Sequence, residues 1–259
     1  MNAPFINASL SAASVMPAVF TMRCMVASHY FHLLDDVYPS LDARVNAITR
    51  ERYRRIDRFV QLALLGAAEC VAGRQLATDC GLYLSSGFGP INSNVLVQDA
   101  IHRDSRLPMP FNFVNTLGSS ACYHLVKELN LTGEAVMVAR GGASFSSALT
   151  CAYADLASGV ASQVLVGAVE ECVLPGERHR ALLRLNDDVA IAEGSHWVLL
   201  EREERAGTPV DAELLPHSEF EGYESADAAR LSSFLGNDRE ATYGLQLATS
   251  GWQLVSIPV

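Results

Sequence analysis

The amino-acid sequence predicts an α/β fold whose sheet is covered by helices on both faces. Three apolar runs are continuous instead of alternating with polar residues, and they lie at 80–84, 135–139 and 164–169. Continuous runs of this length are typical of strands that are buried on both sides. The segments between them carry apolar residues at steps of three and four, the spacing of a helix packed along one side. Strands and helices that alternate in this way favour a layered α/β domain.

Composition and charge agree with a globular domain and narrow the classes of partner. The chain has 259 residues, 49% hydrophobic and 19% charged, so it can bury a sizeable core. A net charge of -10 repels phosphate backbones and makes nucleic acid a poor candidate partner. Pro17 and Arg23 interrupt the apolar N-terminal segment, which also lacks a basic start, so we expect no membrane span, no secretory signal and a cytoplasmic protein. Six cysteines without CxxC spacing predict reduced, buried thiols.

The elements follow from the same patterns. From Thr49 the apolar residues recur at helical steps, which predicts a helix that opens with several arginines and ends near Gly73. The other predicted elements are, in chain order, a short strand at 3–16, a strand at 80–89 followed by a polar stretch, a helix at 108–133, a strand at 135–139, a helix at 141–159, and strands at 163–173, 195–203 and 208–222. The tail from Tyr223 has mixed character.

The most informative stretch is 135–171, which predicts a strand, a tight turn of small residues, a buried helix and a second strand. Such a turn places residues at a helix N-terminus, where free amide groups and the helix dipole stabilise a thiolate or an oxyanion. Nucleophiles are often found at this kind of position.

This stretch resembles the β-ketoacyl synthases, which have a T-A-C-x-S-G-like turn, a helix with an A-L pair and a strand that ends in a G-G-x-E-like sequence. On that pattern Gly142 takes the position of the nucleophilic cysteine, and Ala148 and Leu149 match the helix pair. Gly167 and Glu170 match the strand end. The resemblance therefore implies that the nucleophile is missing, because glycine has no side chain to form a thioester.

Other segments carry the same resemblance. RRIDRFVQLAL (54–64) is similar to the family's first long helix, Asn115 falls in its segment before the second helix, and AEGSHWVLLERE (192–203) is similar to its E-G-x-x-x-x-x-L-E strand. The resemblance spans about residues 3–225 of a single domain, 1–259, and leaves the tail 226–259 unassigned. It implies a thiolase-like half-fold with a mixed, mostly parallel sheet and helices on both faces.

Members of this family contain two related halves, and the second half supplies two histidines and a lysine to the active site. The sequence ends about where that half should begin, and His217 in LLPHSEF matches no family histidine motif. The resemblance thus implies a member without catalysis of its own. Non-catalytic members, called chain-length factors, pair with an active ketosynthase and shape the tunnel that holds the growing acyl chain.

For this chain, the resemblance implies a heterodimer with an active β-ketoacyl-[acyl carrier protein] synthase in fatty-acid or polyketide assembly. Aryl polyene assembly is the most specific pathway predicted. The pairing surface is expected in the helix before the 135–139 strand and in that strand. The residues expected to line the interface or the partner's tunnel are Phe111, Phe113, Val114, Asn115, Thr116 and Phe145. The alternative for the phenylalanines is that they fill this subunit's own core.

A serine hydrolase or acyltransferase is the alternative function. Gly142-Ala143-Ser144-Phe145-Ser146 lies between a strand and a helix, as a G-x-S-x-G elbow does, with Ser144 as the nucleophile and His196 or His217 as the base. Against it, Ser146 replaces the closing glycine, and neither an HGGG-like segment nor an acid and histidine pair stands out.

The arginines before Phe59 admit two interpretations. One interpretation is that an acidic acyl carrier protein, reached through the complex, docks on Arg50, Arg54, Arg55 and Arg58. The alternative is a solvated face balanced by acidic neighbours.

Three further motifs are interpreted as structural. GFGPIN at 87–92 lacks the third glycine of a dinucleotide loop and predicts a turn, so no cofactor is expected. Cys151 lies too far into its helix to replace a nucleophile and should pack. The lone His29-x-x-His32 pair is weak evidence for zinc, and no metal is expected.

Overall fold

A computed structural model of the protein describes residues 21–32, 38–53, 55–203, 208–209, 223–235, 243–248 and 251–256. The strands are β1 (Thr21–His32), β2 (Gly81–Ser85), β3 (Ala135–Val138), β4 (Gln163–Glu170), β5 (Ala192–Glu203), β6 (Thr208–Pro209), β7 (Tyr243–Ala248) and β8 (Gly251–Ser256). The helices are α1 (Asp42–Ile48), α2 (Arg58–Cys70), α3 (Ile91–His102), α4 (Pro110–Val114), α5 (Ser119–Leu129), α6 (Ser144–Ser158), α7 (Gly176–Leu183) and α8 (Ala226–Leu235).

The strands form one sheet in the order β3-β2-β4-β5-β1-β7-β8-β6. β2 pairs in parallel with β3 on one side and with β4 on the other, and these three strands make one edge of the sheet. The pairings from β4 through β5 and β1 to β7, β8 and β6 are antiparallel. The predicted α/β fold with a mixed sheet is confirmed, while parallel pairing is confined to the β3 edge and covers less of the sheet than expected.

Helices cover both faces of the sheet, as predicted. Successive strand residues point to opposite sides, so a continuous apolar strand has apolar side chains on both faces to bury. On one face Leu84, Leu165 and Leu199 lie in a core that α2 and α5 complete. On the other face Val166 and Val198 lie in a core that α6 completes. The continuous apolar runs of the sequence are thus explained by strands buried on both sides.

Trp197 holds α2 and β4 close together at the centre of the first core. Its ring is fully buried, and its indole nitrogen donates to Ser195 Oγ at 2.7 Å. A Cβ atom placed on Gly66 of α2 or on Gly167 of β4 would lie 2.4 Å from the Trp197 ring. Both positions therefore require glycine, which explains the glycine in the β4 sequence by packing.

The first long helix begins later than predicted, at Arg58 instead of Thr49. Asp57 caps it by accepting a hydrogen bond from the Val60 amide at 3.0 Å, and a capped start at this point leaves Arg50, Arg52 and Arg55 outside the helix. The helix ends at Cys70, three residues before the Gly73 that was expected to mark its end, and Gly73 has a left-handed φ of 73° in the turn that follows.

Several other expectations change. The helix expected at 108–133 is two helices, α4 and α5, separated at Asn115–Gly118. β1 and α3 were not predicted, the latter because its polar residues hide a helical period. The expected strand at 3–16 lies outside the described residues, and of the one expected at 208–222 only residues 208–209 are described, as β6.

In the described part of the chain, no helix is both long and apolar enough to cross a membrane. Cys70, Cys80, Cys122 and Cys172 are buried free thiols, as expected. Cys151 is also free, but it is exposed, so the expectation that it packs is wrong.

Candidate functional site

The predicted strand, turn and helix are observed at β3 and α6, and the candidate site lies at the turn between them. Gly141 has φ +56°, a left-handed conformation that favours glycine, and it directs the chain from the strand into the helix. The Ala143 amide donates to the Arg140 carbonyl at 3.2 Å, which closes the turn. Gly142 and Ala143 are exposed just before the first residue of the 15-residue helix α6.

Ser144 ties this turn to the end of β2. Its side chain is buried; Oγ accepts from the Arg140 amide at 2.8 Å and lies 3.0 Å from the Ser86 carbonyl and 2.7 Å from the Gly141 carbonyl. No histidine in the described part of the chain hydrogen-bonds to this hydroxyl, and His196 instead contacts the Tyr223 hydroxyl at 3.1 Å. A buried hydroxyl held by backbone groups is a structural link, so the placement speaks against Ser144 as an activated nucleophile.

Glu170, at the end of β4, connects three segments beneath the turn. Its carboxylate accepts hydrogen bonds from the Gly87 amide at 2.6 Å, from Ser86 Oγ at 2.8 Å and from Ser225 Oγ at 2.8 Å. Burial raises the pKa of Glu170 to about 7, although these hydrogen bonds oppose the rise. Glu170 therefore fixes the loop after β2 and the segment before α8 against the end of the sheet.

The side chain of Glu224 lies next to the turn, at the position that a side chain on Gly142 would face. A Cβ atom on Gly142 would be 3.2 Å from Glu224 Oε2, and one on Gly141 would be 3.7 Å from the same oxygen. A Cβ atom on Gly87 would be only 2.5 Å from Glu224 Cβ. A carboxylate thus lies beside the turn at which the sequence resemblance places the nucleophile of an acyl-transfer site.

A second group of buried charges lies near the ends of β4 and β5. Glu193 is fully buried and accepts hydrogen bonds from Arg58, whose Nε lies 2.8 Å from Oε2 and 3.0 Å from Oε1. Burial raises the pKa of Glu193, and the hydrogen bonds and charge of Arg58 oppose that rise. Burial also raises the pKa of Asp57, opposed by hydrogen bonds from Val60 and Ser93.

Glu171 belongs to this group and is less well satisfied. Its Oε1 accepts from the Asn92 amide at 2.9 Å, while Oε2 is buried without a hydrogen-bond partner in the described part of the chain. Burial raises the pKa of Glu171 to about 8, and the Asp57 carboxylate adds to the rise. Glu171 is therefore largely protonated at neutral pH.

Glu171→Gln should stabilise the protein at pH 8 and have little effect at pH 4.5. The folded pKa of Glu171 lies above its ordinary value of 4.5, so the folded state binds more protons between pH 4.5 and 8. The free energy of unfolding consequently falls as pH rises through this window, by up to about 1.4 kcal/mol per pH unit. Glutamine keeps the shape without the ionisation and removes this loss.

Urea unfolding of the two proteins between pH 4.5 and 8.5 measures the effect. Glu177→Gln is the matched control, because Glu177 is exposed at the start of α7, and it should leave the pH profile unchanged. Part of the pH dependence of stability should remain in either variant, because burial also raises the pKa of Glu170. A Glu171→Gln protein that is less stable than the native protein at pH 8 would contradict the protonated state of Glu171.

The family comparison decides between the two sequence interpretations of this site. The model of the β-ketoacyl synthase N-terminal domain matches residues 21–185, more than half of the chain. The chain belongs to the β-ketoacyl synthase family. The matched segment contains the β3 turn, α6 and β4, and it is shorter than the resemblance predicted at both ends. A comparison with curated proteins gives no match.

Solved structures show the same fold. The ketosynthase ApeO in complex with its chain length factor ApeC, from Xenorhabdus doucetiae, matches with a TM-score of 0.55 at 15% identity, over 90% of this chain and 99% of that chain. The ishigamide ketosynthase/chain length factor matches with a TM-score of 0.53 at 17% identity, over 74% of this chain and 63% of that chain. AntDE:AntF, a type II PKS acyl-carrier protein in complex with its ketosynthase, matches with a TM-score of 0.51 at 16% identity, over 71% of this chain and 59% of that chain.

The chain therefore spans less than two thirds of the length of the second and third of these neighbours. At such low identities the likeness establishes the thiolase-like ketosynthase fold that was predicted, and nothing finer.

The residues predicted for pairing in this β-ketoacyl synthase relative divide into two sets. Phe111, Phe113 and Val114 are 37%, 59% and 54% exposed on α4, so the alternative that the phenylalanines fill this subunit's core is wrong. Thr116 is partly exposed and donates to the Phe113 carbonyl at 2.7 Å. The placement of Phe145 is a correction: it is buried in the core of α6 and the sheet and cannot lie on the subunit surface.

Asn115 is a second correction to the predicted surface. It is buried at the end of α4, where its backbone N–H donates to the Phe111 carbonyl at 3.1 Å. Asn115 therefore belongs to the break between α4 and α5.

Of the arginines predicted to dock a carrier protein, Arg58 is a correction, because its side chain is mostly enclosed and paired with Glu193. Arg54 lies outside the described residues. Arg50 and Arg55 are exposed in the segment before α2. Within the described residues no group of three or more His, Cys, Asp or Glu side chains is placed to hold a metal ion. His29 and His32 lie in β1, where their side chains are not described, and His217 lies outside the described residues.

Sequence reasoning missed Glu224, the pairing of Arg58 with Glu193, and the buried Glu171. Glu170, Glu171 and Glu193 had a signal in the sequence, since each is a carboxylate at the end of an apolar strand and must be paired or protonated there. Glu224 had none, because it lies in the segment of mixed character that follows residue 222.

Proposed function

We propose that this β-ketoacyl synthase relative is a non-catalytic, chain-length-factor-like subunit that pairs with an active β-ketoacyl-[acyl carrier protein] synthase. The observation that carries the proposal is the turn at Gly142. On the family pattern it is the nucleophile position, yet it has no side chain and it faces the Glu224 carboxylate. A thioester cannot form on glycine, and a negative charge at this position disfavours an oxyanion.

A partner surface supports the pairing. The helices α3, α4 and α5 and the connections between them carry large apolar side chains that are between 37% and 93% exposed; they are Leu96, Ile101, Leu107, Met109, Phe111, Phe113, Val114, Leu117 and Tyr123. We call this set the α3–α5 patch. Exposed apolar side chains concentrated along one stretch of chain are typical of protein interfaces, because each square ångström buried against a partner contributes about 25 cal/mol.

β3 adds a second argument for pairing. It is the edge strand of the sheet, next to α5, and its residues are only partly buried. An uncovered edge strand presents unpaired backbone groups that favour association with another chain. The α3–α5 patch and the β3 edge are the elements expected to lie at the centre of the heterodimer.

The pathway is proposed at two levels. A subunit of this kind acts in fatty-acid or polyketide assembly, in the cytoplasm, and meets the acyl carrier protein through the complex. Aryl polyene assembly is the specific setting that we propose. The likeness to chains from ketosynthase and chain length factor complexes supports this choice at the level of fold.

Incubation with an acyl-carrier thioester, or with a mechanism-based ketosynthase inhibitor, should leave the mass of the isolated protein unchanged. The reason is that Gly142 offers no thiol, and the exposed Cys151 lies well inside α6, away from its N-terminus. Intact-protein mass spectrometry checks the result, with the active ketosynthase of the same organism as the positive control. A stoichiometric acyl adduct on any residue would show that the chain is itself an acyltransferase.

A further inference from the structure

Three glycines from two loops surround the side chain of Glu224. Gly87 follows β2, and Gly141 and Gly142 follow β3. A Cβ atom on Gly87 would lie 2.5 Å from Glu224 Cβ and 2.8 Å from Cγ, which is closer than packed atoms allow. One on Gly142 would lie 3.2 Å from Oε2, so a larger side chain requires the carboxylate to move. The loop after β2 therefore leaves room for Glu224 only because residue 87 lacks a side chain, and the turn after β3 leaves the tip of the carboxylate uncrowded at Gly142.

The backbone on both sides of Glu224 is fixed. The Tyr223 hydroxyl contacts the buried His196 Nε2 at 3.1 Å, and Ser225 Oγ donates to Glu170 Oε1 at 2.8 Å. Both partners are buried: His196 lies within β5 and Glu170 is the last residue of β4. Glu224 is thus held beside the turn by its neighbours in the chain as well as by the glycines that accommodate it.

The position also suits a negative charge. The carboxylate lies beside Gly142, two residues before α6 begins, and the positive end of the helix dipole stabilises an anion there. The same dipole would lower the pKa of a cysteine thiol at position 142. A carboxylate that already occupies the position has the opposite effect on that thiol, since a like charge within about 4–6 Å disfavours the thiolate.

We propose that Glu224 is a built-in block of the acyl site, which fills the space in front of position 142 and suppresses any thiolate or oxyanion there by its charge. The inference rests on the proposed function where that function assigns Gly142 to the nucleophile position. The absent cysteine and the Glu224 carboxylate then act in the same direction, since each by itself suppresses acyl transfer at this position. Restoring the cysteine alone does not restore a reactive site.

The test compares thiols introduced by Gly142→Cys in the native background and together with Glu224→Gln or Glu224→Ala. Iodoacetamide alkylation is followed from pH 6 to 10 by peptide mass spectrometry, and the native Cys151 thiol on α6 is the internal reference. In Gly142→Cys alone the introduced thiol should react at least tenfold more slowly at pH 7 than in Gly142→Cys/Glu224→Gln, with its apparent pKa at least one unit higher. Glutamine keeps the shape of Glu224, so this difference isolates the charge, whereas Glu224→Ala also opens the space.

A second measurement does not depend on the cysteine. A methyl group on residue 142 lies 3.2 Å from the carboxylate, which must shift slightly, so Gly142→Ala should change the melting temperature more favourably in the Glu224→Ala background than in the native one. Equal alkylation rates in the single and double cysteine variants, or equal effects of Gly142→Ala with and without Glu224, overturn the block. Neither experiment needs a partner protein, so their failure is distinguishable from a failure of the pairing proposal.

Discussion

Arg58→Ala should lower the free energy of unfolding by about 3–5 kcal/mol at pH 8, the largest loss that we expect from a single change in this chain. The arginine is the cationic partner of Glu193, whose side chain is fully buried. Removing one partner of a buried ion pair leaves the other charge without compensation, and the desolvation cost is then no longer offset. Arg58 also donates to the Pro39 carbonyl at 3.0 Å and lies 4.2 Å from the centre of the Tyr38 ring, so its loss also removes packing.

The loss should depend on pH in a defined direction. Burial raises the pKa of Glu193, and Arg58 counteracts that rise. The pKa of this carboxyl therefore rises further when the arginine is removed. A folded-state pKa raised above the unfolded value means that stability is present at low pH and is lost as pH rises. The deficit of Arg58→Ala relative to the native protein should therefore be smaller at pH 5 than at pH 8.

Chemical denaturation at the two pH values measures this deficit, and Glu193→Gln is the matched partner in a double-mutant cycle. The double variant Arg58→Ala/Glu193→Gln should be more stable at pH 8 than Arg58→Ala alone, because no buried carboxylate remains at that position. Arg55→Ala is the surface control and should change stability by less than about 0.5 kcal/mol, since Arg55 is exposed. Equal stability of Arg58→Ala and the native protein at both pH values would contradict the role of this ion pair.

The alternation of apolar segments was enough to predict the layered α/β fold, because strands buried on both sides have a continuous apolar pattern that few other elements share. The same reasoning failed at the start of α2. The residues from Thr49 to Asp57 continue a helical spacing, but the decisive interaction is the Asp57 cap at Val60, which depends on backbone geometry that a periodicity does not record. α3 was missed for a related reason, since its exposed face and Asn residues resemble a polar loop.

The turn at Gly142 could be predicted from the sequence, while the side chain that lies beside it could not. A strand, a turn of small residues and a helix are local in sequence, so Gly142 was found from its own neighbours. Glu224 reaches the turn from a segment about 80 residues later, and Glu193 meets Arg58 across a separation of 135 residues. Contacts of this kind depend on tertiary structure, and charged residues at the ends of apolar strands indicate only that some partner must exist.

Phe113→Asp should abolish pairing with the active ketosynthase while leaving this subunit folded. Phe113 is 59% exposed on α4 and belongs to the α3–α5 patch, so an aspartate there is solvated in the free subunit and should change its stability by less than about 0.5 kcal/mol. In the proposed heterodimer the same carboxylate would be buried without a partner. Loss of a central aromatic side chain at an interface typically costs 2 kcal/mol or more, which corresponds to a loss of affinity of about thirtyfold or more.

Size-exclusion chromatography with light scattering, on the two subunits produced together, measures the pairing, and condensation by the complex is assayed in parallel. Val160→Asp is the matched control, because Val160 is equally exposed, at 59%, but follows the C-terminal end of α6 at the opposite end of that helix from Gly142. It should leave both pairing and activity intact. If Phe113→Asp and Val160→Asp both give a full heterodimer, the α3–α5 patch is not the interface. A native subunit that remains a monomer in the presence of the ketosynthase, with the activity of the ketosynthase unchanged, would contradict the pairing itself.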